Sequence, residues 1–446
     1  MTQYIRKFSE ISASDINIVG GKGANLGFLK SVNINVPDGF CVTTHAYKEF
    51  IKPVEHKIYA LAENINSNSL EGLRKTAQSI RDLLAENTLS PQITDQIIEA
   101  WKNLGSRTAY AVRSSATAED LPQASFAGQQ DTYLNIVGEK ALLETVKDCF
   151  ISLFTDRAML YRMQNGFNHA DVALSVVVQK MLMPESAGIM FTADPISGRR
   201  NVVTIDASFG LGEALVSGLV SADLYKVDKQ NQQIISKDIA DKKIAIMPLK
   251  EGGVETIELG AQRHQQTLSD ELIVKLAQLG QQIELHYRKP QDIEWAMENG
   301  ALFVTQSRPI TSLFPIPNNG IDTSKEDENI YLSIGHLQVM TDAMPPLSLS
   351  MFPAFIPFRM YMAGGRLYAN ISAILKNPIT RKMFLRGIHG ADHLISLALT
   401  QWLNIHNNFK NQSRIPIKKI LLFAIPFLGR ILNCIFWRRY KICHLR

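Results

Sequence analysis

Cysteine is scarce. Cys41, Cys149, Cys434 and Cys443 are the only four in 446 residues, and no two form a CxxC pair. That excludes a disulfide framework and a cysteine-built zinc site, and it points to a reducing compartment inside the cell. Aromatic side chains are also few, at 8%. The N-terminal stretch from Met1 to Asn17 has no continuous apolar core of the kind a secretory signal needs, so a cytoplasmic location is expected. Acidic residues stop altogether after Asp392, where nine lysines and arginines follow. Those nine exceed the chain's net charge of +5, so everything before them is mildly acidic and carries no basic stripe for nucleic acid. Long unbroken apolar runs are missing too. The most apolar segment, 417–437, is interrupted by Pro426 and Arg430, well short of the roughly 20 residues of a membrane span. It reads as a buried or amphipathic helix, with no membrane contact expected.

What is present is the balance of an ordinary globular protein, 46% hydrophobic and 20% charged. At about 150 residues per domain, two or three domains are expected. Strand-like and helix-like stretches alternate through the first 310 residues, which predicts an α/β architecture with mixed sheets. Apolar spacing near 3.6 over 70–104, broken at Ser90-Pro91, predicts two amphipathic helices. Strands are expected at Thr108–Arg113, Val172–Leu182, Gly188–Phe191 and Val202–Ile205. The Pro-, Asn- and acid-rich stretch 315–329 is the best linker. It separates residues 1–314 from 330–446, where methionine and proline become frequent and helices are expected to dominate.

Three constellations carry possible chemistry. VGGKGANLG (19–27) sets Lys22 among four glycines; the glycines permit close backbone approach and the lysine offers a point charge to phosphate. It is no P-loop, since Gly23 follows the lysine. AVRSSATAED (111–120) runs an arginine at a strand end into a hydroxyl-rich loop, and SFAGQQDTYL (125–134) follows with another glycine segment; both suit phosphate oxygens, and both also suit plain turns. The third is a hairpin, QDIEWA (291–296) returning as VTQSRPI (304–310). A two-residue Asn299-Gly300 turn would pair Glu294 with Thr305 and send Gln306 to the other face. A three-residue loop, Asn299-Gly300-Ala301, would set Glu294 opposite Gln306 and Asp292 opposite Arg308 on one face. That second arrangement suits a magnesium ion and a nucleotide phosphate. A surface ion pair between Asp292 and Arg308, of little energetic worth, is the plainer alternative.

Together with VPDGFCVTT (36–44), MFTADPISG (190–198) and ASFGLGEALVSG (207–218), these motifs occur in an order that resembles the ATP-binding N-terminal domain of the dikinase-type phosphotransferases. That family takes in phosphoenolpyruvate synthase, pyruvate phosphate dikinase and rifampicin phosphotransferase, and the resemblance covers residues 15–312. It implies an ATP-grasp fold of two α/β lobes closing on ATP and Mg2+, followed by a partial, mainly helical acceptor-binding domain. By motif it implies that Lys22 and Arg113 meet phosphates, that Gly128 and Thr132 lie in a lid, and that Gln179 contacts the adenine side. Glu294 and Gln306 would hold the magnesium, and Arg308 would clamp a phosphate.

The family's phosphohistidine context, Gly-Gly-x-Thr-Ser/Cys-His-Ala, is missing after residue 312, so the chain reads as stopping before the swivelling histidine domain, with no catalytic residue of its own and a histidine domain from another chain as a conceivable partner. Thr43-Thr44-His45-Ala46 is a decoy without the glycine pair; Thr43 is expected to cap a helix containing His45. His336, His389 and His393 lack the context as well. Residues 331–342 and 345–350 resemble the opening of the antibiotic-binding domain of rifampicin phosphotransferase, so a rifamycin-like small molecule is the expected acceptor. The alternatives are a phosphoenolpyruvate synthase relative acting on pyruvate and a non-catalytic ATP-dependent binding module.

Overall fold

The computed structural model describes residues 3–63, 70–117, 120–121, 124–125, 132–316, 329–337, 343–355, 360–406 and 409. Gly128, most of the linker, residues 338–342 and the tail 410–446 lie outside the described residues. The chain divides into two compact units, Met1–Ser312 and Leu313–Arg446. Among the described residues no helix is long and apolar enough to cross a membrane.

In chain order, the first unit begins with β1 (Ile5–Lys7), α1 (Ile16–Ser31), β2 (Gly39–Val42), α2 (Thr44–Ile51), α3 (Glu55–Glu63), α4 (Leu70–Ala85), α5 (Pro91–Gly105) and β3 (Tyr110–Ala116). A short ribbon, β4 (Asp120–Leu121) and β5 (Ala124–Ser125), precedes β6 (Thr132–Ile136), α6 (Glu139–Ser152), α7 (Asp156–Gln164) and β7 (Leu174–Lys180). The second half has β8 (Ser186–Phe191), β9 (Val202–Phe209), α8 (Glu213–Val216), β10 (Asp223–Asp228) and β11 (Ile234–Asp238). It ends with β12 (Ile244–Pro248), β13 (Val254–Glu258), α9 (Asp270–Tyr287), β14 (Gln291–Glu298) and β15 (Ala301–Pro309).

Two antiparallel sheets organise the unit, in the orders β1-β2-β7-β3-β6 and β11-β10-β9-β8-β14-β15. One face of the first sheet carries Phe40, Val42, Val112, Val176 and Val178 into a core with helical residues such as Tyr47, Leu73, Ile97 and Phe150. The two predicted amphipathic helices form as their spacing dictates. α4 buries Leu73, Ala77, Ile80 and Leu84, and α5 buries Ile93, Ile97, Ala100 and Trp101. Pro91 begins α5, a position where its missing N–H costs nothing. Emptying one such core position, as in Phe150→Ala, costs about 3–5 kcal/mol.

The opposite face of the first sheet shares a second core with α1, α9 and the second sheet, drawing on Cys41, Val177, Leu26, Leu29, Ile205, Ile283 and Trp295. Because α1 covers only part of that face, Ala111, Arg113 and Gln179 are left facing the second sheet across a cleft. α9 starts under a working cap, Ser269 Oγ accepting from Leu272 N (3.3 Å). Thr43 caps the helix containing His45 by position, as expected, but without a side-chain hydrogen bond to its first turn. Its hydroxyl donates instead to the Gln3 carbonyl (3.3 Å).

In the second unit helices carry most of the described residues, the longest being Pro378–Ala391 and His393–Ile405. A three-stranded antiparallel sheet, Tyr331–Ser333, Arg366–Asn370 and Met360–Ala363, accompanies them, which composition alone did not announce. Ala369, Ile371, Leu375, Leu403 and Phe409 form its core. His389 and His393 meet edge to face at the junction of the two helices, with ring centroids 4.7 Å apart, and His336 lies on the short helix Ile334–Leu337.

Candidate functional site: a charged cleft between two sheets

The glycine segment and the hydroxyl-rich segment form one piece of structure. α1 is broken at Gly20 (φ 69°), a left-handed conformation that also brings backbone against backbone: a Cβ there would lie 2.2 Å from the Ser115 carbonyl oxygen. Ser115 Oγ donates to the Val19 carbonyl (2.9 Å) and accepts from Gly23 N (3.3 Å). Lys22 Nζ donates to the Ser114 carbonyl (3.1 Å), one residue along β3 from Arg113.

Arg113 is the link to the second sheet. Its Nη1 lies 3.4 Å from the Thr305 carbonyl and 3.6 Å from Glu294 Oε2, with both side chains mostly removed from solvent. Gln179 is buried beside it, paired across strands with Ala111 and Gly39, and its Nε2 donates to the Pro37 carbonyl (3.3 Å). Thr132 pairs with Arg113 at the start of β6.

The hairpin reaches the expected pairing by an unexpected route. Glu294 lies opposite Gln306 and Asp292 opposite Arg308, yet the turn is the two-residue one, Asn299 (φ 49°) and Gly300 (φ 71°), closed by Glu298 and Ala301. Positive φ at both turn residues is the preferred two-residue hairpin geometry. The three-residue loop is therefore wrong. A β-bulge at Thr305 supplies the extra residue instead, shifting the register between Glu294 and Trp295. Asp292 and Arg308 form the plain ion pair, with Arg308 Nε and Nη2 2.9 and 2.8 Å from Asp292 Oδ2. Burial raises the Asp292 carboxyl above its ordinary range, and the neighbouring Arg308 offsets only part of that.

The cleft is open to solvent, with a cavity volume of about 60 Å³. Arg113, Gln179, Glu213 and Glu294 line it, together with an apolar shelf from Leu134, Met181, Leu182 and Ala187. Lys22, Thr132, Gln306 and Arg308 are not among the lining residues. Thr305, pushed forward by the bulge, takes the place next to Glu294.

Glu213 was missed by sequence reasoning, although its motif was recognised. It keeps contact with solvent, but the protein crowded around it strips much of its hydration and raises its carboxyl above the ordinary range. Arg113 and Lys22 oppose that rise and Glu294 adds to it, so these four charges share one space. Glu294 and the Gln306 amide are hard oxygen donors on one sheet face. Among the described residues no group of three or more His, Cys, Asp or Glu could hold a metal ion. The donor set thus suits a cation that takes most of its oxygens from phosphate and water, as magnesium does, and does not suit one caged by protein.

Residues 16–328 match the family model described as pyruvate phosphate dikinase, AMP/ATP-binding domain. The chain belongs to this family. Rifampicin phosphotransferase of Bacillus subtilis is 47% identical over 404 residues, 90% of this chain and 46% of that protein. Its namesake in Bacillus cereus is 44% identical over 434 residues, covering 96% of this chain and 49% of the relative. A probable phosphoenolpyruvate synthase of Archaeoglobus fulgidus is 47% identical over 312 residues, 68% of this chain and 41% of the relative. The chain spans about half the length of the curated relatives it matches. As a dikinase AMP/ATP-binding domain, its first unit has a cleft with the cations Arg113 and Lys180 on one wall and the carboxylates Glu213 and Glu294 on the other.

Proposed function

We propose that the first unit, an ATP-grasp domain, binds Mg-ATP in this cleft as the nucleotide-binding part of a dikinase-type phosphotransferase. The overall reaction would convert ATP, acceptor and water to AMP, phosphate and phosphorylated acceptor. The observation that carries this reading is the meeting of Arg113 with Glu294 at 3.6 Å, with Lys22 held one residue away. An arginine on β3 and a lysine that reaches the same strand from α1 fit phosphate oxygens, and Arg113 would exchange Glu294 for phosphate when nucleotide enters. Leu134, Met181 and Leu182 offer an apolar surface for a purine, and Gln179 gives it a polar edge. Glu294 and Gln306 would hold magnesium, which supplies charge neutralisation to the phosphates when bound. Arg308, already steered by Asp292, would reach a phosphate on the same face. The lid role of Gly128 and Thr132 belongs to this reading as well.

For the acceptor, a rifamycin-like antibiotic is favoured over pyruvate by one observation. The alignments with the two rifampicin phosphotransferases cover 90% and 96% of this chain and so take in most of the second unit, whereas those with probable phosphoenolpyruvate synthases cover 68% to 75%. Transfer through a mobile histidine domain requires that domain from outside the 446 residues. Supplying it in trans and asking whether a rifamycin or pyruvate becomes phosphorylated separates the two acceptors.

Titration calorimetry tests the nucleotide site directly. The wild-type chain is expected to bind ATP more tightly with magnesium than without, and Glu294→Ala to lose about tenfold or more of that gain. Equal heats from the two proteins would remove the metal role, and no binding by either would remove the nucleotide reading.

A further inference from the structure

The hairpin of β12 and β13 belongs to neither main sheet, yet it touches both walls of the cleft. At its tip it grips the first wall. Buried Asn135, on β6 with φ 58°, donates from Nδ2 to the carbonyls of Leu249 (2.6 Å) and Gly253 (2.5 Å), and Gly253 N donates back to the Asn135 carbonyl (3.2 Å). The tip uses positive φ at Gly252 and Gly253, and a Cβ on Gly252 would come within 3.4 Å of the Asn135 carbonyl oxygen. Midway along β12 the hairpin holds the second wall. Leu211 N donates to the Ile246 carbonyl (2.8 Å), and Gly210 approaches the same carbonyl so closely that a Cβ would lie 2.4 Å from it.

Both grips are next to cleft residues. Leu134, adjacent to Asn135, lines the first wall, and Glu213, two residues after Leu211, lines the second. We propose that this hairpin is a strap that sets the spacing of the two walls, with Asn135 as a positioning residue for the nucleotide. Asparagine suits the post because it tolerates the left-handed backbone while its amide supplies two donors to two carbonyls. The positioning claim rests on the nucleotide-binding reading above; the mechanical link between the grips does not.

Asn135→Gly keeps the backbone conformation and removes both side-chain hydrogen bonds. Gly253→Ala strains the clasp from the other side through its φ of 77°. In each variant of the full chain, calorimetry with Mg-ATP is expected to show affinity reduced about tenfold, the scale of two ordinary hydrogen bonds. Hydrogen exchange without nucleotide is expected to rise at both grips, at residues 249–253 and at the distant amides of Leu211 to Glu213. Unchanged ATP affinity in both variants overturns the positioning role. Faster exchange confined to residues 249–253 overturns the strap. A wild-type chain that binds no ATP, with exchange rising at both grips of the hairpin in the variants, overturns the nucleotide reading and leaves the strap supported.

Discussion

The two walls of the cleft hold their charges in opposite ways. The first presents cations, Arg113 and Lys180, with Arg113 steadied by the Thr305 carbonyl and Lys22 held beside it by the Ser114 carbonyl. The second presents carboxylates, Glu213 and Glu294, and its only cation among the residues considered for the site, Arg308, is already matched by Asp292. Each wall is therefore the other's counter-charge. On the proposed reading, a nucleotide with its metal replaces both halves of that pairing at once, phosphates meeting the cations and magnesium meeting the acids. A bare anion would satisfy only one wall.

The sharpest way to break this comparison is Arg113→Ala. Removing the guanidinium that meets Glu294 across the cleft is expected to weaken ATP binding by about 100-fold, since charge-assisted contacts to phosphate are the strong ones. The melting temperature should change little, because Glu294 retains access to water. A fold-change below about threefold would show that the first wall does not bind phosphate.

A second test separates the protein behind each wall by acid. Behind the first, burial and the adjacent Arg162 push His169 down to about 4, its Nδ1 accepting from Arg162 Nε at 2.8 Å. The unfolded chain takes up a proton near pH 6.5 that the folded chain refuses, so this contribution to stability is lost as pH falls from 6.5 toward 4. In the second half burial raises Asp223, but hydrogen bonds from Lys242, Thr267 and Tyr225 outweigh it and hold the carboxyl below its ordinary range. Its contribution is present above the ordinary value of 3.8 and is lost below it. Hydrogen exchange across a pH series should therefore rise first around residues 156–171 and only later around 223–267. The reverse order would contradict both assignments.

The smallest expected effect sharpens the picture at Glu213. Glu213→Gln removes a carboxylate that shares the space of Arg113, Lys22 and Glu294, and should tighten magnesium-free ATP by about threefold, a modest screened charge effect. It should also flatten the dependence of that affinity on pH in the range just above an ordinary glutamate, where the raised carboxyl titrates. Weaker binding would mean that Glu213 contacts the ligand or its metal.

Much of this was legible in residue order. The spacing of Leu73, Ala77, Ile80 and Leu84 identified a helix because a repeat near 3.6 is a local property. The strands around Arg113 and Gln179 showed in their β-branched content, and their motifs marked the cations and Glu294. The hairpin shows the limit. Its pairing was anticipated correctly while the turn was not, because a bulge and a longer loop leave the same register behind and no local signal at Thr305 separates them. The β12-β13 hairpin and its hold on Asn135 were invisible, since that contact joins positions over a hundred residues apart. Glu213 was passed over for a similar reason: its glycine-rich surroundings were plain, but its neighbours Arg113 and Lys22 come from the other end of the unit.

The surplus residue at Thr305 has one more consequence, for how β15 tolerates change. In a regular ladder, sensitive and permissive sites alternate with unbroken rhythm. Here the rhythm reverses phase partway along, so that Val304, counted from the turn, and Ser307, counted from the far end, are both buried although an odd number of steps separates them. A saturation scan of 301–309 would carry that phase reversal as its signature, and the place where it falls would locate the bulge without any coordinates.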